Sequence, residues 1–182
     1  MDRRDFLKTV AVSGAAMTIQ RSEAMEILTQ AVNSTGKPDL VAVMGDEPEL
    51  MFQRAIAELG GMKQFVKSGQ KVVVKPNIGW DKVPELAGNT NPKLVAEIVK
   101  QCFAAGAKEV TVFDHTCDDW QKCYKNSGIE SAAKAAGAKV MPAHLESYYR
   151  PVDLSEGKNM KKAKIHEAIL NCDVWINVPI LK

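Results

Sequence analysis

No stretch of this 182-residue sequence approaches the ~20 consecutive apolar residues that a membrane helix needs. It has no GxGxxG, no GxxxxGK[ST] and no G-x-S-x-G element. Nucleotide binding of the usual kinds and serine-hydrolase chemistry therefore have no sequence support. One sign of charge hardly dominates: 24 Lys and Arg face 22 Asp and Glu, a net charge of +2. That balance argues against a nucleic-acid or acidic-membrane partner. The one basic run, KNMKKAK at 158–164, reads as a solvated loop. Cysteine is sparse too. The four thiols fall at 102, 117, 123 and 172, without the close Cys-x-x-Cys runs of ferredoxin-type iron–sulfur sites. Neither internal repeats nor low-complexity segments occur.

What is present begins at the N-terminus. Arg3 and Arg4 precede Phe6, Leu7 and Lys8, and a short, weakly apolar run of small residues follows. This resembles a twin-arginine export signal, with Ser22-Glu23-Ala24 as a small-x-small cleavage site. The expectation is a leader over 1–24, passage through the twin-arginine machinery, and a periplasmic or envelope location. Residues 25–39 read as a short helix and a linker closing on NSTGKPD. In an oxidising compartment Cys117 and Cys123, six residues apart, are better placed for a local disulfide than for a metal. Cys102 and Cys172 lie in apolar helical contexts and read as core residues.

From residue 40 to 182 strand-like and helix-like segments alternate. Strands are expected at LVAVMG (40–45), KVVVK (71–75), EVTVFD (109–114), KVMPA (139–143) and VWINVPI (174–180), with an edge strand at YYRPVDL (148–154). Helices are expected at PELMFQRAIAELGG, at PKLVAEIVKQCFAAGA (92–107), at GIESAAKAAGA and at KIHEAILNCD (164–173). Two of these open on proline and stop on glycine. The pattern specifies an α/β fold: an open, mostly parallel sheet of about four or five strands with helices on both faces, Rossmann-like and three-layered. The chain stops one or two residues past a core strand, which points to a missing C-terminal portion or a partner chain that completes the sheet.

Ligands of open parallel sheets gather at the carboxyl ends of the strands. At the end of strand 71–75 stand Lys75, Pro76, Asn77 and Gly79, then Trp80 and Asp81; at the end of 109–114 stand Asp114, His115, Thr116, Cys117 and Asp118; at the end of 174–178 stand Asn177, Pro179 and Lys182. Lys75 closes a buried strand and must find an anion. It is either an anchor or acid–base amine for a ligand, or half of a structural ion pair with Asp114. Asn89, Thr90 and Asn91 stand before the helix that opens at Pro92. Asn91 is best explained as its cap, whereas Asn89 and Thr90 have no comparable structural explanation. Asp114, His115 and Cys117 are metal-ligand candidates by residue type, although their spacing matches no strong pattern. His144 and His166 read as surface or turn residues. SYYRP (147–151) reads as a half-buried edge strand rather than a pocket wall.

GGMKQFVKSGQKVVVKPNIGW, NTNPKLVAEIVKQCFAAGAKEVTVFD, CYKNSGIESAAKAAGA and INVPILK, in that order, resemble the family of domain of unknown function 362, in particular its exported members. The resemblance implies an α/β domain of uncharacterised activity. It also implies a family polypeptide that continues past Lys182 through a His- and Gly-containing stretch and a further KN motif. Relatives often carry or accompany iron–sulfur modules, so a cluster or other metal is a cofactor the resemblance allows. Matching positions are Lys75, Pro76, Asn77, Asn89, Thr90, Asn91, Pro92, Asp114, Asn177, Pro179 and Lys182. The functional expectation is a pocket for a small anion or metal-bound cofactor, with a redox-linked enzyme among the readings it allows. Lys75 and Asp114 would be its reactive pair, with Asn77, Asn89, Thr90, Asn91, Asn177 and Lys182 holding the ligand. The alternative is a non-catalytic assembly factor that carries a metal cluster or a partner polypeptide.

Overall fold

The computed structural model describes residues 38–180. The leader and most of the linker expected at the N-terminus, and Lys182, lie outside that range. Four parallel strands form the sheet: β1 (Lys71–Pro76), β2 (Glu109–Val112), β3 (Lys139–Val140) and β6 (Val174–Val178), in the order β3-β2-β1-β6. Each crossover follows from local chemistry. Helix α1 (Pro48–Glu58) starts on proline and is terminated by Gly60 and Gly61, both at positive φ. Helix α2 (Pro92–Ala104) starts where the Asn91 side chain accepts the Lys93 amide at 2.9 Å. It ends before Gly106, whose φ of 103° favours glycine and whose missing Cβ would sit 3.1 Å from the Ser68 backbone.

Side-chain alternation divides the sheet into two faces. Val72 and Val74 of β1 and Val110 and Val112 of β2 enter the main core. There they meet Ile56 of α1, Val95, Ile98, Val99 and Cys102 of α2, Cys123 and Tyr124 of α3 (Trp120–Asn126), and Ile129 and Ala133 of α4 (Ile129–Ala135). Val73 and Phe113 point to the other face and pack with Ala143, Ala168, Met141, Tyr149 and Ile169. That second layer is thin. It consists of an antiparallel hairpin, β4 (Tyr149–Asp153) with β5 (Lys162–His166), and the one-turn helix α5 (Glu167–Leu170). The fold is thus the expected α/β three-layer arrangement, with four helices on one face and a much smaller cover on the other.

Two local expectations are corrected and one helix is added. Residues 40–45 form no strand: they pair with no neighbour, and Leu40 and Met44 are 84% and 95% exposed. An apolar run becomes a strand only where a ladder receives its amides. The helix expected over 164–173 is a strand up to His166 and a single helical turn after it. Lys162, Lys164 and the residues between them alternate outward and inward with period two, which suits pairing with β4. Helix α3 was not anticipated; the Asp119 side chain initiates it by accepting the Lys122 amide at 3.0 Å.

Candidate functional site

The strand order reverses beside β1: β2 and β3 succeed it on one side and β6 lies on the other. Lys75 at the end of β1 is in register with Asn177 of β6. This is the topological switch point, where open α/β sheets form a crevice at the strand termini.

The sequence places a lysine and an aspartate at the ends of neighbouring strands, and the fold joins them. Lys75 Nζ lies 2.5 Å from Asp114 Oδ1. The Asp114 side chain is 6% exposed and that of Lys75 32%. Asp114 Oδ2 accepts the buried Ile78 amide at 2.8 Å. The Asp114 amide in turn donates to the Tyr124 hydroxyl at 2.8 Å, and that hydroxyl reaches the Asp114 and Met141 carbonyls. Burial pushes the Tyr124 phenol upward, so it stays protonated as a structural strut. One aspartate therefore ties together the ends of β1 and β2. Lys75 keeps its remaining N–H donors, because an ammonium has three and Asp114 takes one.

Of the asparagines and the threonine expected around a ligand, Asn77, Asn89, Thr90 and Asn91 make hydrogen bonds that build the rim. Thr90 Oγ1 accepts the Asn77 amide and donates to the Val178 carbonyl, both at 2.8 Å, stapling β6 to the loop before α2. Asn77 Nδ2 donates to the Gly88 carbonyl at 2.9 Å. Asn89, 7% exposed, accepts the Trp80 amide at 3.0 Å and donates to the Trp80 carbonyl at 2.8 Å. Asn91 is the helix cap. Asn177 is exposed on β6.

The metal-ligand candidates do not converge. Among the described residues no group of three or more His, Cys, Asp or Glu could hold a metal ion. Asp114 is held by Lys75 and Ile78, Cys117 is exposed, and His115 turns toward Ala143. All four cysteines are free thiols, so the expected Cys117–Cys123 disulfide is absent. Cys123 is buried on the inner side of α3, 3.7 Å from the Gly79 carbonyl, and burial raises its pKa. Cys102 is buried in the core as anticipated, its thiol pushed up to about 12.

Beside Lys75, on the thinly covered face, lies a cleft of about 330 Å³ lined by Lys75, Phe113, His115, Tyr149, Lys164, Ile165, His166, Ile169 and Trp175. Most of these residues were not singled out from the sequence. His166, read as a surface or turn residue, is 2% exposed: Nδ1 accepts the Ala168 amide at 3.1 Å, Nε2 faces the Pro142 carbonyl at 3.2 Å, and the ring stacks on Phe113 at 4.1 Å. Tyr149 does line a wall, with its hydroxyl 2.9 Å from the Ala143 carbonyl. His115 Nδ1 lies 2.8 Å from the same carbonyl. A carbonyl only accepts, so Nδ1 carries the proton and Nε2 is the nitrogen left over. The available signal was the period-two KAKIH pattern, which brings Lys164 and His166 onto a hairpin.

Architecture and site define an α/β domain with a parallel sheet and a cleft at its strand ends. The chain belongs to the family described as Domain of unknown function (DUF362), which matches residues 72–182. It is also similar to a thylakoid-associated protein of Synechocystis sp. (strain ATCC 27184 / PCC 6803 / Kazusa), 25% identical over 124 residues, covering 68% of this chain and 37% of that relative. The chain thus spans well under half the length of the curated relative it matches. No solved structure matches it.

Proposed function

We propose that this domain binds a small anionic ligand in the cleft beside the carboxyl ends of β1 and β2, with Lys75 as its anchor. One observation carries the reading: Lys75, next to last in the central strand β1, stands at the point where strand order reverses, a third exposed and lining a cleft. Asp114 fixes the amine's position and leaves donors for a ligand oxygen. Lys164 stands on the hairpin side of the same cleft. Thr90, Asn77 and Asn89 hold the loop that follows β1 and tie it to β6. The chain reaches the envelope through its twin-arginine leader, a reading supported by Arg3, Arg4, Phe6, Leu7 and Lys8.

Native mass spectrometry of the full-length protein purified from its own host tests this. A small molecule should co-purify with the wild type and be lost from a Lys75→Met/Asp114→Asn double variant, which removes both charges together and so leaves no buried carboxylate unpaired. Equal retention by the two proteins refutes the lysine anchor.

A further inference from the structure

The cleft's lining is more specific than a general anion site requires. We infer that its ligand is an organic anion with a flat, unsaturated ring body, the body lying along the aromatic wall and the anionic group at Lys75. This rests on the anion-binding reading above and adds the ligand's class.

Carbon surface forms most of the cleft. Phe113 and His166 are stacked 19° from parallel, and Tyr149 meets the edge of His166 at 89° with centroids 5.3 Å apart. Phe113 and His166, each 2% exposed, back the cleft as a rigid floor, and the ring surface open to a ligand is that of Tyr149 and Trp175. Facing solvent at the mouth is Trp175, 52% exposed although it belongs to a strand that pairs with the central β1. Ile165 and Ile169 complete the apolar lining. An inorganic anion gains nothing from such walls, because it demands N–H donors on every side. A saturated chain would gain area, but a flat ring also gains the offset or edge-on geometry that aromatic groups prefer.

The polar groups sit where one end of such a molecule would lie. Both cations, Lys75 and Lys164, line the cleft. Their carboxylate partners, Asp114 and Glu146, do not. His115 Nε2, released by the bond from Nδ1 to Ala143, can accept from a hydroxyl or ring N–H of the ligand. The volume of about 330 Å³ is at the small end for ligand pockets, which suits a single small ring system rather than a dinucleotide.

Titration calorimetry on the full-length protein decides it, with benzoate, nicotinate, cyclohexanecarboxylate, acetate and inorganic phosphate as probes. Benzoate and nicotinate should bind about tenfold or more tighter than acetate and phosphate, and measurably tighter than the saturated ring. Trp175→Leu, checked for an unchanged melting temperature, should remove about tenfold from the aromatic acids and leave acetate unaltered. If acetate and phosphate match benzoate and all depend on Lys75, the anion site stands and the ring-binding inference is overturned. Equal affinity for benzoate and cyclohexanecarboxylate overturns it as well. Binding of none of the five overturns both readings. The wild-type series is decisive even if the variant fails to fold.

Discussion

Replacing Asp114 should unlock the strand ends, and the cost can be worked from its contacts. Asp114→Ala removes a 2.5 Å bond to Lys75 and a 2.8 Å bond from the Ile78 amide. Hydrogen bonds to a charged group contribute roughly 1.5–3 kcal/mol each. Ile78 is 0% exposed, so its N–H finds no water in exchange. Against this stands the relief of no longer burying a carboxylate, a few kcal/mol at most. A net loss of about 3 kcal/mol follows, a large share of the 5–15 kcal/mol typical of a folded domain. Asp114→Asn keeps an oxygen for Ile78 and should lose only about 1.5 kcal/mol. Lys75→Met leaves the carboxylate with Ile78 alone, and should lose about 2 kcal/mol because Lys75 is a third exposed. The Lys75→Met/Asp114→Asn pair should be less damaging than the sum of the singles, with a coupling of about 1.5 kcal/mol. Urea unfolding of the wild type and the four variants at neutral pH measures this. With a slope near 2 kcal/mol per molar, Asp114→Ala should lower the midpoint by about 1.5 M. Additivity of the two singles to within about 0.5 kcal/mol would refute the claim that these groups act as one lock.

Thr90→Val should cost about 2 kcal/mol in the same assay, because it leaves the Asn77 amide and the Val178 carbonyl without their partner; a loss under about 0.5 kcal/mol sinks the staple between loop and β6. Burial holds the His166 imidazole below its ordinary value of 6.5, so the unfolded chain takes up a proton as pH falls through about 6.5 while the folded chain resists. His166 therefore contributes full stability above about pH 6.5 and loses it as pH drops from there through the lowered folded value. The gap in urea midpoint between wild type and His166→Phe should narrow from pH 7.5 to 5.5; a constant gap contradicts this. Conversion of both Arg3 and Arg4 to Lys should leave the protein in the cytoplasmic fraction of its host, and undiminished export on fractionation rules the leader out.

Legibility varied with the range of the contacts concerned. The Lys75–Asp114 meeting was readable because each residue closes a β-branched run, and the ends of parallel strands lie together in any sheet of this class. The Asn91 cap was readable because its target is two residues away. Asn89 and Thr90 had no local explanation, since Thr90 bonds Val178, 88 positions later. The cleft was not readable. Trp175 and Tyr149 looked like ordinary strand residues, and His166 like a surface one, because a hairpin folds back over the sheet only after KAKIH pairs with YRPVD.

Sequence periodicity and its breakers determined the parallel sheet, its helical layer and the polar character of its rim, because hydrophobic alternation, caps and glycine stops act over a few residues. Three-dimensional packing determined which polar groups were absorbed into the scaffold and which kept hydrogen-bonding capacity at the cleft. The bonds from Thr90 to Val178 and from Lys75 to Asp114 join segments 88 and 39 positions apart, and only the closed fold shows whether a side chain's partner is protein or solvent.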